Sequence, residues 1–382
     1  MAVKELHVRG YRSVREIRLK LKRINVLVGP NGCGKSNLYR SMYLIAAAAS
    51  GEFAKSLAQE GGIPSVLWAG KRTKNESAHL VLAVKLDELS YSLECGRIPI
   101  SERPELFDLT CFQNDPDIKK EEVDFTHLGK KVTLVKRSKG LIMARNIDGR
   151  PIEYPLAVNG TESVLSGLRD PQKFPELSTL RQEFLNWRFY HQFRTDLGSP
   201  LRQPQVGVMT PVMAHDGLDV AAALATVKGI GQGDHFNEAL QNAFPGSALE
   251  VFSDNGEFSL GLHMAGFERP FNALELSDGT LQYLCLLAAL LTPRPPSFMA
   301  LNEPETSIHP DLYEPLAKLI VQASKKSQIW ITTHSRVLSN FIRKFGGNEP
   351  IELEKIKGET RVVGAKLIEN DEDDLDEEDD DD

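Results

Sequence analysis

Thirteen consecutive residues, Ile24 to Ser36 (INVLVGPNGCGKS), constrain this chain more than any other stretch. An apolar run suited to a buried strand leads into Gly29-Pro30-Asn31-Gly32-Cys33-Gly34-Lys35-Ser36, which fits the pattern GxxxxGK[ST], and a helical stretch follows. Glycines let such a loop curl until its backbone N–H groups converge on phosphate oxygens. The N-terminus of the next helix adds positive potential. Lys35 is expected to reach the β- and γ-phosphates of a nucleotide, and Ser36 to put its hydroxyl on Mg²⁺. Gly29, Asn31, Gly32, Cys33, Gly34, Lys35, Ser36 and Asn37 are therefore the candidate phosphate contacts. Cys33 can be read in two ways. It fills a variable loop position, or the helix N-terminus lowers its pKa enough for redox control.

Three later segments bear on the same chemistry. Leu276-Ser277-Asp278-Gly279-Thr280 opens a helix with Leu281, Leu284, Cys285, Ala288 and Leu291 on one face. Small residues and free N–H groups at a helix start suit a γ-phosphate contact by Ser277, Asp278 and Gly279, and they equally suit an ordinary N-cap. Phe298-Met299-Ala300-Leu301-Asn302-Glu303 reads as a buried strand ending at the ligand edge of a sheet, with Glu303 as the base for the attacking water. The strand Gln328 to Thr333 ends in His334, within expected reach of the γ-phosphate.

Strand and helix patterns alternate over the last hundred residues, which predicts an α/β fold with a mostly parallel sheet. Residues 4–28 read as two or three strands, 51–75 as irregular, 78–165 as mostly β, and 176–194 as helical and aromatic. The cluster Trp187 to Phe193 is open to core packing or to base stacking. Helices are expected over 216–243 and strands over 248–264. Lys35 and Ser277 lie 242 residues apart, room for an extra lobe between the two halves of the site. The expected division is 1–74, 75–265 as an inserted α+β lobe, 266–368, and a disordered acidic tail at 369–382.

Charge and composition narrow the classes. The tail holds twelve acids and no base, leaving 41 acids against 45 bases in residues 1–368. The tail is read as a solvated run or a partner-docking element, and the weakly basic body permits a nucleic-acid surface without requiring one. No apolar run approaches the ~20 residues of a membrane helix; the longest, Leu284 to Leu291, is expected to be one face of a core helix. The start MAVKELHVRGYRSV has early charges and no apolar core, so no secretory signal is expected. Four cysteines without paired spacing suit a reducing cytoplasm.

The order of these motifs resembles that of ABC-type ATPases, and most closely their soluble branch: the SMC, RecF-like and OLD-like proteins and related AAA-type ATPases. HVRGYRSVREIRL, GPNGCGKSNL, LSDGT, NEPETSIHPDL and TTHS carry the resemblance, which is strong over 1–50 and 270–345 and thin over 75–265. It implies a P-loop NTPase of ABC type with an N-terminal β-rich subdomain, ATP and Mg²⁺ as cofactors, and an ATP-sandwiched homodimer with each LSDGT segment facing the partner's P-loop. It also implies a nucleotide contact by Arg12 and a dimer-interface place for His309. Gln59 is the candidate for a glutamine-loop residue. Asn302, with Ser36 a candidate Mg²⁺ contact, stands where the family usually has a carboxylate, so either hydrolysis is slow or Mg²⁺ rests mainly on Ser36 and the phosphates; ATP hydrolysis with Glu303 as base is still expected. Without sustained heptads or a second constellation of acids, neither a long coiled coil nor a nuclease domain is expected. A separate effector, nuclease or toxin, is the expected partner, in DNA repair or in defence against phage and plasmids.

Overall fold

The computed structural model describes residues 1–72, 77–98, 112–138, 140–146, 149–154, 159–230 and 233–364. The acidic tail, Cys111 and most of the strand expected near 106–112 lie outside the described residues.

The chain opens with β1 (Glu5–Tyr11) and β2 (Val14–Lys20), an antiparallel pair whose alternating residues are buried. β3 (Ile24–Val28) follows, buried at every position as a strand covered on both faces should be. It leads through the glycine loop into α1 (Lys35–Ser50). The stretch expected to be irregular forms two short helices, α2 (Phe53–Gln59) and α3 (Ile63–Val66), split by Gly61 and Gly62, both in the left-handed region. Phe53, Leu57, Ile63 and Val66 are fully buried, and that burial stabilises helices too short to stand alone.

Six strands come next: β4 (Leu80–Lys85), β5 (Leu89–Arg97), β6 (Pro116–His127), β7 (Lys130–Ser138), β8 (Leu141–Arg145) and β9 (Pro151–Tyr154). They extend the sheet begun by β1 and β2, in the order β2-β1-β4-β5-β6-β7-β8-β9. After α4 (Val164–Gly167) and α5 (Pro175–Leu185), the aromatic segment is a strand, β10 (Arg188–Tyr190), where a helix to 194 was expected. Trp187, Phe189 and Tyr190 are buried on both faces of the sheet, and a short continuous apolar run does not by itself tell such a strand from a buried helix.

A small third sheet holds β11 (Gln205–Val206), β12 (Ala248–Asp254), β13 (Glu257–His263) and β14 (Phe271–Asn272), with α6 (Val220–Gly229) and α7 (Gly233–Ala243) beside it. The stretch 75–265 is thus divided among three sheets. The remaining elements are α8 (Asp278–Leu290), β15 (Phe298–Asn302), α9 (Tyr313–Ala323), β16 (Gln328–Thr333), α10 (Arg336–Gly346), β17 (Ile351–Ile356) and β18 (Glu359–Val362). They complete a six-stranded sheet, β10-β15-β16-β3-β17-β18, parallel except for the final hairpin.

Helix α1 lies between the large antiparallel sheet and this parallel one, touching β1 and β4 on one side and β15 and β16 on the other. Ten of its sixteen residues are buried, which fixes the glycine loop at its N-terminus to both sheets. Helix α8 is buried from Thr280 to Leu290, on every side rather than on one face as expected. It packs against α6, α7 and α9, and an all-round apolar helix requires such an enclosure.

A candidate nucleotide site at the edge of the parallel sheet

The C-terminal ends of β3, β15 and β16 meet at one edge, where open parallel sheets bind ligands. An open cleft of about 1260 Å³ lies there. Of the residues singled out in the sequence, Arg12, Asn31, Gly32, Gly34, Lys35, Ser36, Asn37 and Glu303 line it, and Gly29, Cys33, Asn302 and His334 do not.

The loop owes its shape to two glycines and its fixity to the strands behind it. Gly32 and Gly34 have φ values of +75° and +107°, in the left-handed region that side chains rarely adopt. A Cβ on Gly32 would meet nothing, whereas one on Gly34 would stand 2.1 Å from Thr360 Oγ1 on β18. Lys35 Nζ donates to the carbonyls of Gly29 (2.7 Å) and Pro30 (3.1 Å), which draws the amine to the mouth of the loop. Asn37 faces backwards: its Nδ2 donates to Ser13 Oγ at 2.8 Å, and Ser13 in turn bonds Thr360. It ties α1 to the β1–β2 turn and to β18. Cys33 is 1% exposed, beneath the loop, and its N–H donates to the Pro30 carbonyl. A reactive thiol needs access, and the burial of Cys33 speaks against redox control.

Arg12 has a φ of +50° and is clamped from below. Glu60, its side chain 7% exposed, takes Arg12 Nη2 at 2.9 Å and Arg40 Nη2 at 2.7 Å, and accepts from Tyr11 Oη at 2.5 Å. Burial and the neighbouring Glu60 carboxylate push the Tyr11 phenol far up, so it stays a donor. Gln59 is exposed at the end of α2; the adjacent Glu60 makes the contacts.

Glu303 follows β15 with a φ of +47°, unusual for a residue with a side chain and of a kind that gathers at functional sites. Its N–H donates to the Thr332 carbonyl (2.8 Å), so β16 holds the strained position in place. His334 Nδ1 lies 3.9 Å from Glu303 Oε2 and 3.3 Å from Glu305 Oε1. Asn302 Oδ1 accepts from Thr332 Oγ1 at 2.7 Å, and its Nδ2 donates to the His191 carbonyl at 3.4 Å. An ionised aspartate could not make the second bond. Strand β10 thereby brings His191, and exposed Gln192 after it, to the edge that carries Glu303. Burial first, and then the Arg40 charge, hold His191 below its ordinary pKa, with Glu303 opposing.

Ser277, Asp278 and Gly279 do not line the cleft. Ser277 caps α8 by accepting from the Thr280 N–H, Asp278 pairs with Arg202 at 2.7 Å, and Gly279 abuts the loop after Glu303. His309 is exposed and caps the turn at Pro310–Leu312 by accepting from the Asp311 N–H.

Two parts of the cleft escaped the sequence reading. One is Trp68 to Lys71; the other is the β17–β18 hairpin, which adds Lys355, Lys357 and Arg361. Lys357 and Gly358 both have positive φ, as a tight two-residue hairpin requires. The Lys-Gly pair between two alternating runs was the available signal. Cationic walls and a glycine cradle suit the phosphates of a nucleotide. Ser36 and Asn302 supply a hydroxyl and an amide rather than a set of carboxylates, so a Mg²⁺ ion here would rest largely on phosphate oxygens.

Residues 24–340 match the profile of the family described as "AAA domain, putative AbiEii toxin, Type IV TA system". The chain belongs to this family. No curated relative matches it. Among solved structures it is similar to an Smc head bound to the C-terminal winged-helix domain of ScpA, at 16% identity and a TM-score of 0.54, over 96% of this chain and 99% of that one. It is also similar to the Smc head with a coiled coil and joint from Pyrococcus yayanosii, at 10% identity and 0.53, over 96% and 97%. At such identities the likeness concerns the fold: this AAA-family chain has the ABC-type P-loop architecture of Smc heads. No helix among the described residues is long and apolar enough to cross a membrane.

Proposed function

We propose that this protein binds Mg-ATP in the cleft, pairs with a second copy across it, and hydrolyses ATP slowly as a switch for a separate effector. The observation that best supports the pairing is the separation of two motifs. Lys35, Ser36 and Glu303 line one cleft, while Ser277 and Asp278, in the other motif fit for a γ-phosphate, stand exposed at the N-terminus of α8 outside it. A second copy would supply that helix N-terminus. In this reading Lys35 and the loop N–H groups hold the phosphates, Ser36 and Asn302 share the Mg²⁺ shell, Arg12 meets the nucleotide, and Glu303 orients and deprotonates water with His334 beside it. His309 belongs to the interface between copies.

The family description includes a putative toxin of a type IV toxin–antitoxin system, and one Smc head carries a bound partner domain. Both fit a cytoplasmic defence role that works through protein partners, with DNA as an additional ligand. The bonds of Asn302 favour a second reading, in which hydrolysis is so slow that the nucleotide chiefly gates binding to the effector.

The deciding experiment is light scattering of Glu303→Gln with Mg-ATP. A dimer that dissociates on ATP removal is expected; a monomer at every nucleotide concentration sinks the pairing. Steady-state turnover with and without duplex DNA separates the switch from the gate.

A further inference from the structure

Glu305 is the most deeply buried acid at this edge, its side chain 1% exposed. One oxygen, Oε1, takes every bond: it accepts from Thr333 Oγ1 (2.5 Å), from the backbone N–H groups of His334 (3.1 Å) and Ser335 (3.2 Å), and faces His334 Nδ1 at 3.3 Å. The other, Oε2, is buried with no hydrogen-bond partner among the described residues.

Holding a loop at a helix start does not require an acid. Ser335 already caps α10 by accepting from the Leu338 N–H, and a neutral side chain could accept the two backbone N–H groups at far smaller desolvation cost. What a carboxylate adds is charge beside an imidazole. Two carboxylates lie near the same nitrogen of His334, Nδ1: Glu303, about one-third exposed, and the buried Glu305, which is nearer. A ring nitrogen that faces a carboxylate keeps its proton, and the opposite nitrogen is then set by default.

We propose that Glu305 is a positioning residue that holds the proton on His334 Nδ1 and so leaves His334 Nε2 as the nitrogen available to a γ-phosphate. The proposal rests on the reading of His334 given above. Glu305 touches neither nucleotide nor water; it acts through the ring.

The full chain tests this in two ways. Imidazole ¹⁵N spectra, with His334 assigned by comparison with His334→Gln, should show a protonated Nδ1 in the native protein and a shift toward the Nε2–H tautomer in Glu305→Gln. In steady-state ATP turnover, Glu305→Gln should lower kcat by roughly 10–100-fold with KM changed less than about twofold, as losses of ring-orienting groups do. Glu305→Asp should recover part of the loss, and Glu305→Gln should add nothing in the His334→Gln background.

An Nε2–H tautomer in the native protein overturns the proposal, and so do undiminished turnover in Glu305→Gln or losses that multiply in the double variant. If His334→Gln turns over normally, the reading of His334 itself falls. If only His334→Gln is impaired, the fault lies with Glu305 alone. Should Glu305→Gln fail to fold, the native tautomer still decides.

Discussion

A Cβ on Gly279 would stand 2.4 Å from the carbonyl oxygen of Ser307, so the start of α8 rests directly on the loop that follows Glu303. The motif expected to serve a neighbouring copy is thereby held close to the loop after Glu303 in its own chain. Gly279→Ala must push that loop or the helix aside. It should cost about 1–3 kcal/mol in thermal or chemical unfolding. ATP affinity, measured on the isolated monomer by calorimetry, should be nearly unchanged, because Gly279 does not line the cleft. Equal losses of stability and monomer affinity would contradict this.

Lys35 lies at the mouth of the loop, bonded to two carbonyls and only 4% exposed. Lys35→Ala should weaken ATP binding by about 100-fold or more, on the scale of about 3 kcal/mol for a charge-assisted contact. A fluorescent ATP analogue titrated into both proteins measures it.

Asn302 spends its amide on His191 and Thr332. Asn302→Asp exchanges the donated bond for a negative charge, which would face Mg²⁺ if residue 302 belongs to the metal shell as proposed. The Mg²⁺ concentration for half-maximal turnover should fall several-fold, and kcat should rise if the missing carboxylate is what slows the enzyme. Unaltered Mg²⁺ dependence would show that position 302 lies outside the metal shell.

Glu60 holds Arg12, Arg40 and Tyr11 together with a side chain 7% exposed. Glu60→Ala leaves two partly buried guanidinium groups unpaired and should cost about 2–4 kcal/mol in denaturant unfolding. It should also weaken ATP binding, since Arg12 loses its clamp. Arg12→Ala alone should reproduce the binding defect with a smaller loss of stability.

Partial desolvation holds half-buried His7, and the more exposed His191 and His215, below their ordinary pKa. As pH falls, the unfolded chain takes these protons first, so the folded state loses stability. The loss begins near the unfolded value of about 6.5 and continues down through the lowered folded values. Denaturant unfolding at pH 7.5 and 5.5 should show it, and His215→Asn should reduce the difference.

The sequence alone determined the glycine loop with Lys35 and Ser36, the strand to Glu303 and the strand to His334, because each is a local pattern with a single backbone solution. The apolar run Phe298 to Leu301 reads as a covered strand because Pro295-Pro296 before it and Pro304 after it leave no length for a helix, and a glycine loop between a strand and a helix is legible without its neighbours. Other parts depended on partners far along the chain. The segment Arg188–Tyr190 is a strand because β15 lies beside it; its own residues would serve a helix equally well. Glu60 rather than Gln59 meets Arg12, and nothing near position 60 announces this. Lys355 and Lys357 reach the cleft only because β17 pairs with β3, more than 300 residues earlier in the chain. The tertiary structure also decided that Ser277 and Gly279 do not line the cleft that holds Lys35, since periodicity fixes which face a residue takes but not which distant surface that face will meet.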